Sequence, residues 1–432
     1  MEFLLTRVLG NPHSANITSM AMTDLVEDTR KYVLRYFNAS PDEYNAIFTA
    51  NATGALKLVG ESYPFTSESN FVLTFDNHNS VNGIREFAKT KGAQVSYVPL
   101  TKPNLRIYDE KLHDILSIAD RGQNNLFAFP AQSNFSGVKH SLDIIKQAQR
   151  SGFDVLLDAA AYVPTNSLDL NVVKPDFIAI SFYKMFGYPT GIGALLIRES
   201  VFKKLKRPWF AGGTVNFASV QGNNYSLAPN EAAFEDGTIN YLNIPAIKTG
   251  LQHLESVGMG TIGNRIQCLT SWLLENLMSL IHSNGKPMVR IYGPTENEMR
   301  GGTISMNFYG PDERLMDYRR IEELANDERI SLRTGCFCNP GTGEIAEGLT
   351  ADDMVEGFKG GPNLNLPQFV QIIQHRGNKS AGAIRISIGL ATNFTDVYRF
   401  MNFAAVFRDK TNLNIGKVSF DIRSCRIIRD GS

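Results

Sequence analysis

Between Tyr44 and Arg198 short apolar runs alternate with longer amphipathic stretches, and this rhythm confines the chain to folds made of repeated β-α units around a mostly parallel sheet. The runs expected as strands are Ala46–Thr49, Phe71–Phe75, Gln94–Val98, Leu126–Phe129, Phe153–Leu157, Asp176–Ile180 and Gly193–Ile197. Most end at a polar or glycine-rich turn. In an open α/β sheet the carboxyl ends of strands are where ligands bind, so those turns are where chemistry is sought first.

After Asn240 the rhythm changes. A long helix from Ile244 to about Ser283 is expected, then strands near Met288–Tyr292 and Gly302–Phe308, a helix Pro311–Asn326, strands Ile330–Arg333 and Ala383–Ser387, and a helix Asn393–Phe407. Glycines and prolines leave Asn339–Gly382 without a readable period. The 432 residues exceed what one core supports, so a large domain over 15–250 and a smaller α+β domain over 251–432 are expected, with residues 1–14 packing near the smaller one.

Composition excludes several classes of partner. Lys plus Arg and Asp plus Glu both total 43, so no net field recruits nucleic acid or an anionic membrane. No apolar run approaches the ~20 residues of a membrane span. The first ten residues lack the pattern of a signal peptide, so a cytoplasmic location is expected. Four cysteines, Cys268, Cys336, Cys338 and Cys425, are too few for a disulfide framework, which leaves reductive, catalytic thiol chemistry.

The strand-end turns carry distinctive residues. Lys184, in Ser181-Phe-Tyr-Lys184, lies between an apolar strand and the glycine-rich Gly187–Gly193 turn; a lysine desolvated there favours the neutral amine that condenses with an aldehyde. Thr49-Ala-Asn-Ala52-Thr53-Gly runs from strand into helix, where backbone N–H groups and the Thr53 hydroxyl suit a phosphate. Asp158 follows an apolar strand and needs a cationic partner, which a protonated pyridine nitrogen supplies; capping the next helix is the competing role. His78, in Asp76-Asn-His78-Asn-Ser80, suits the face of a cofactor ring or is a satisfied structural side chain. In Arg333-Thr-Gly-Cys336-Phe-Cys338-Asn-Pro340-Gly341, a thiol exposed near positive charge is available as thiolate; zinc would need two further ligands nearby, and no metal is expected. Arg385, mid-strand, matches a substrate carboxylate or an internal ion pair.

Taken together, Gly10–Ser14, Phe48–Val59, Asp76–Ser80, Pro130–Gly137, Ser181–Gly191 and Arg333–Gly341 resemble the class V aminotransferase-type, fold-type I pyridoxal-phosphate enzymes, and within them the N-terminal desulfurase domain of the molybdenum cofactor sulfurases. The resemblance implies pyridoxal 5'-phosphate bound through Lys184, with Asp158 at the ring nitrogen, His78 on the ring, and Ala52, Thr53 and Ser181 near the phosphate. Tyr183 stands beside the cofactor where the general desulfurases have His, and Ala161 where they have Gln; the sulfurase branch is like this chain at both. Asn134 is implied beside substrate and cofactor, Arg333 and Arg385 beside the substrate, and Cys338 as the persulfide cysteine. Thr238, in Phe234-Glu-Asp-Gly-Thr238, is implied to reach the phosphate of the neighbouring subunit, which makes a homodimer part of the site. The family's N-terminal Tyr-Leu-Asp segment has no counterpart ahead of Gly10-Asn-Pro-His13, so the resemblance carries over no substrate contact from that region.

The implied activity is transfer of sulfur from L-cysteine, or a derivative, to Cys338 with release of alanine. The full sulfurases carry a further C-terminal domain and this chain ends at Ser432, so delivery to another acceptor, such as a biosynthetic intermediate, is expected beside the molybdenum cofactor itself. The alternatives are another class V reaction (C–S lyase, epimerase or transaminase) or an inactive scaffold, since fold does not fix function.

Overall fold

The structure, a computed structural model, describes residues 2, 6–12, 14–359, 369, 372–373, 379–411, 413, 418–421 and 426–429. His13 of the Gly10–Ser14 motif and Cys425 lie outside the described residues. The chain forms two compact units. One comprises Met1–Pro99, Tyr108–Gln132 and His140–Asn264; the other comprises Leu100–Ile107, Ser133–Lys139 and Arg265–Ser432.

All seven expected strands form in the first unit: β1 (Tyr44–Thr49), β2 (Asn70–Thr74), β3 (Gln94–Val98), β4 (Asn125–Pro130), β5 (Phe153–Asp158), β6 (Phe177–Ser181) and β7 (Gly193–Arg198). They make one sheet in the order β1-β7-β6-β5-β4-β2-β3. The neighbours from β6 through β3 pair in parallel, whereas β7 runs antiparallel to both β6 and β1. The connection from β6 to β7 is too short for a crossover, which forces that reversal. β4 and β6 are buried along their whole length, as the continuous apolar runs of a sheet covered on both faces require. A short hairpin, β8 (Val215–Ala218) and β9 (Tyr225–Leu227), follows.

Six strand directions agree, so the ends of β1, β2, β4, β5 and β6 and the start of β7 share one edge. Thr49 and Ser181 both pair with Gly193, and Asp158 pairs with Pro130. Helix α1 (Ile17–Tyr36) precedes the sheet, and α2 (Ala52–Ser62) springs from β1 with Asn51 as its cap, the Asn51 Oδ1 accepting the Gly54 N–H at 2.9 Å. A methyl group at Gly193 would sit 2.5 Å from the Asn51 carbonyl carbon, so glycine there lets β7 pass beneath the first turn of α2.

In the second unit β10 (Val289–Tyr292), β11 (Thr303–Phe308), β12 (Arg333–Gly335) and β13 (Ala383–Ser387) form an antiparallel sheet in the order β10-β11-β13-β12. Three sequence expectations are corrected. The single helix from Ile244 is two, Ile244–Val257 and Met259–Met278, because Gly258 takes a left-handed φ of 86°. The helix expected from Pro311 starts at Tyr318; the Gly310 N–H closes a turn on the Arg314 carbonyl first, and Asp317 is the cap. The strand expected at Ile330–Arg333 lies at Arg333–Gly335, since the Ile330 N–H is spent on the Ala325 carbonyl at the end of that helix. No helix among the described residues is long and apolar enough to cross a membrane.

Candidate functional site

In the first unit the shared strand edge gathers the residues expected around a cofactor. Ala52 and Thr53 open α2, where unpaired N–H groups and the helix dipole favour an anion. The Thr53 hydroxyl lies 2.8 Å from that of Ser80. His78 caps a short helix, Asn79–Asn82, and its Nδ1 accepts the Ser80 N–H at 3.1 Å. A backbone N–H can only donate, so neutral His78 carries its proton on Nε2. Ser181 is buried at the end of β6.

Asp158 is 8% exposed, and its Oδ1 accepts the Ala160 N–H at 3.0 Å. That bond is a local turn rather than a helix cap. Among the described residues no ion pair is formed by Asp158, so a carboxylate is held at the sheet edge with a hydrogen bond but no cation, a costly arrangement that a positively charged ring N–H would offset. The residues present therefore fit a phosphorylated pyridine aldehyde: an anion-binding helix start, an uncompensated carboxylate, a histidine and a lysine.

The lysine differs from expectation in one respect. Lys184 is exposed rather than desolvated. It lies on the helix Phe182–Phe186, which buries Phe182 and Met185 three residues apart and so turns Tyr183 and Lys184 outward. Left-handed glycines at 187 and 191 then return the chain to β7. Thr238 lines a cavity of about 310 Å³ together with Thr49, Gly54, Gly191 and Asp236. The loop bearing it is fixed by Glu235, which receives a two-pronged bond from Arg30 (2.7 and 3.1 Å) and the Phe48 N–H at 2.7 Å. Burial raises the Glu235 carboxyl and Arg30 opposes it, so the pair is a desolvated, mutually dependent one.

The second unit gathers Asn134, Cys338 and Arg385. Phe337 and Cys338 have φ of 56° and 55°, and the Asn339 N–H donates to the Cys336 carbonyl at 3.0 Å. Two left-handed central residues closed by that bond are the pattern of a type I′ turn, which ordinarily uses Gly or Asn, and each side chain held there costs roughly 1–3 kcal/mol. The surroundings supply the restraint. The Phe337 ring is buried, 5.3 Å from that of Phe135 and 4.6 Å beneath the Arg385 guanidinium. Asn134 Nδ2 donates to the Phe337 carbonyl at 2.7 Å, Asn339 Nδ2 donates to Asn134 Oδ1 at 2.9 Å, and Arg385 Nη1 donates to the Asn134 carbonyl at 2.8 Å. The outcome is an exposed Cys338 on a clamped turn.

Arg333 is exposed and outside that network, but it pairs directly with Arg385 across β12 and β13. Residues directly opposite share a face, so Arg333 puts a second cation on the sheet face that carries Arg385. The helix that follows the cysteine turn, Pro340–Ala346, ends at Glu347, whose carboxyl burial raises to about 8, with Asn307 Nδ2 donating to it at 2.9 Å.

Sequence reasoning missed Phe337 and Asn339 as the clamp of the turn, although Asn339-Pro340 is a legible helix start. It also missed the buried contact of Asp76 with His140 at 2.6 Å and that of Arg30 with Glu235. Partners 64 and 205 positions apart leave no local signal.

The family model described as aminotransferase class-V matches residues 1–400. The molybdenum cofactor sulfurase of Solanum lycopersicum is 38% identical over 430 residues, covering 93% of this chain and 52% of its own length. That of Homo sapiens is 35% identical over 426 residues, covering 93% and 46%. The chain thus spans about half the length of these curated relatives. Among solved structures, a cysteine desulfurase from Thermococcus onnurineus NA1 superposes with a TM-score of 0.76 at 22% identity, covering 94% of this chain and 89% of that one. A cystine C-S lyase in complex with cysteine persulfide superposes with a TM-score of 0.67 at 19% identity, covering 91% and 89%. At those identities the likeness is one of fold.

Proposed function

The chain belongs to the aminotransferase class-V family, and from that premise we propose that it is a pyridoxal-phosphate cysteine desulfurase that takes sulfur from L-cysteine, or a derivative of it, onto Cys338 and releases alanine. The clamped turn carries the reading. A strained, exposed cysteine held by Asn134, Phe337 and Arg385 is what a nucleophile that must meet a substrate sulfur requires, and a merely structural residue has no use for that strain. Support also comes from the names of the relatives, which are sulfurases of a molybdenum cofactor.

When bound, the cofactor supplies an electron sink that loosens the Cα hydrogen of an amino acid. The chain's own residues have the remaining work. Thr53, Ser181 and the N–H groups at Ala52 hold the phosphate. Asp158 would pair with the ring nitrogen and favour its protonated form, and His78 and Tyr183 would stand beside the ring. Lys184 would hold the cofactor through its aldehyde, and its Nζ is the amine that would carry the Cα proton. Arg385, with Arg333 across the strand, receives the substrate carboxylate. The Cys338 thiolate then forms a bond to the substrate sulfur as the Cβ–S bond breaks; the carbon fragment gains the protons and leaves as alanine, so cysteine plus thiol becomes alanine plus persulfide. The first part of the work falls to residues 15–250 and the second to 251–432.

Thr238 completes the phosphate site of a second copy, so the working form is a homodimer in the cytosol, with neither nucleic acid nor membrane as partner. The acceptor of the sulfur is a molybdenum cofactor or a biosynthetic intermediate. Borohydride reduction of the loaded protein followed by peptide mapping tests the cofactor half: the pyridoxyl group is expected on Lys184, and its arrival on another lysine, or on none, overturns the assignment.

A further inference from the structure

His140 has no part in the chemistry proposed above, yet it is the residue that ties the two sides of the ring site together. Its side chain and that of Asp76 are 3% and 0% exposed, with His140 Nε2 2.6 Å from Asp76 Oδ2. Asp76 Oδ1 in turn accepts the Thr74 hydroxyl at 2.7 Å. The next residue, Asn77, donates its Nδ2 to the Thr74 and Ala128 carbonyls at 2.9 and 3.1 Å. The two residues ahead of His78 are therefore fixed to the end of β2 and to the interior of β4. On the other side, the His140 N–H donates to the Ala131 carbonyl at 3.1 Å, and the Ala131 N–H donates to the Asp158 carbonyl at 2.9 Å.

A buried, hydrogen-bonded Asp–His pair is seldom the cheapest way to fill a sheet edge, since apolar residues of similar volume usually serve stability as well or better. What the pair provides here is position. We propose that His140 and Asp76 are positioning residues for the cofactor ring: the pair fixes the turn that aims His78 and holds it at a set distance from Asp158, so that ring face and ring nitrogen are addressed together. This rests on the pyridoxal-phosphate reading of the site. The turn presents His78 Nδ1 to the Ser80 N–H at 3.1 Å, just after Asp76 and Asn77 are bonded to Thr74.

Three variants of the full chain test the proposal: His140→Leu, which strands Asp76; Asp76→Asn/His140→Leu, which removes the charge as well; and His140→Gln, which keeps a side-chain N–H donor. Side-chain ¹⁵N spectra of the histidines are recorded without cofactor, and pyridoxal-phosphate affinity with the visible circular dichroism of the bound cofactor is recorded after loading. In His140→Leu and in the double variant, His78 is expected to lose its single Nε2–H tautomer. Affinity is expected to fall about tenfold or more, as when outer partners of a ligand are removed, with the dichroic band reduced and His140→Gln substantially restored. The double variant is expected to recover the thermal stability that His140→Leu loses without recovering the tautomer or the band. If the double variant keeps the wild-type tautomer, affinity and band, the pair serves stability alone and the proposal fails. Should His140→Leu not fold, the other two variants decide. Wild-type protein that takes up no pyridoxal phosphate sinks the functional reading instead, and that result is seen before any variant is compared.

Discussion

Cys338 is held by its neighbours rather than by its own bonds. Asn134 uses both ends of its amide, one on the Phe337 carbonyl and one on Asn339, so Asn134→Ala removes two hydrogen bonds from a turn whose backbone already resists its conformation. At ~1 kcal/mol each, the loss is expected to slow persulfide formation roughly tenfold or more, as single-turnover kinetics with L-cysteine on cofactor-loaded protein would register. An unchanged rate would mean that the turn holds itself. The motif was legible as Cys-x-Cys beside an arginine, but its strain was not, because a positive φ at Phe and Cys runs against local preference and exists only where tertiary contacts impose it. Lys184 gives the converse lesson. Its place after β6 was evident, but its exposure depends on which side of a five-residue helix faces the core.

Among the elements, the seven strands of the first unit were readable because apolar continuity reports burial directly; the second unit was less so, since its short strands depend on partners distant in sequence. The helices Pro340–Ala346 and Ala351–Gly357 carry their signals, Pro at the first turn and a Thr350–Asp353 capping box, inside a stretch without period. Two elements yield predictions. Glu235 binds β1 and Arg30 to the loop of Thr238, so Glu235→Ala leaves Arg30 buried with its main partner gone and is expected to cost about 3–5 kcal/mol in urea unfolding. A loss below 1 kcal/mol would show that water compensates the pair. Glu347 ends the helix after the cysteine turn with its carboxyl raised from 4.5 to about 8. In that interval the folded state keeps a proton that the unfolded state has released, so its contribution is full below pH 4.5 and is lost as pH rises through 8. Glu347→Gln is therefore expected to flatten the decline of stability toward alkaline pH; parallel slopes for variant and wild type would refute the burial of that charge.

For the molecule as a whole, the proposed dimer makes a prediction that neither unit makes alone. If Thr238 serves the partner's phosphate, Lys184→Ala and Thr238→Ala carry their defects in complementary sites, and a heterodimer of the two has one site with both defects and one with neither. Mixed and reassorted, the two variants are expected to regain up to about a quarter of wild-type activity, the share that random pairing in a twofold assembly gives. No recovery, with heterodimers demonstrated, would place Thr238 in its own subunit's site. The relatives' greater length leaves the sulfur acceptor to be identified by transfer from Cys338 rather than by likeness.

The most direct test of sulfur transfer is mass spectrometry of the loaded protein after incubation with L-cysteine, run beside Cys338→Ser. One added sulfur on the Cys338 peptide together with free alanine, both lost in Cys338→Ser, is the predicted result. Pyruvate and ammonia in place of alanine, or alanine released at the same rate by Cys338→Ser, would contradict it.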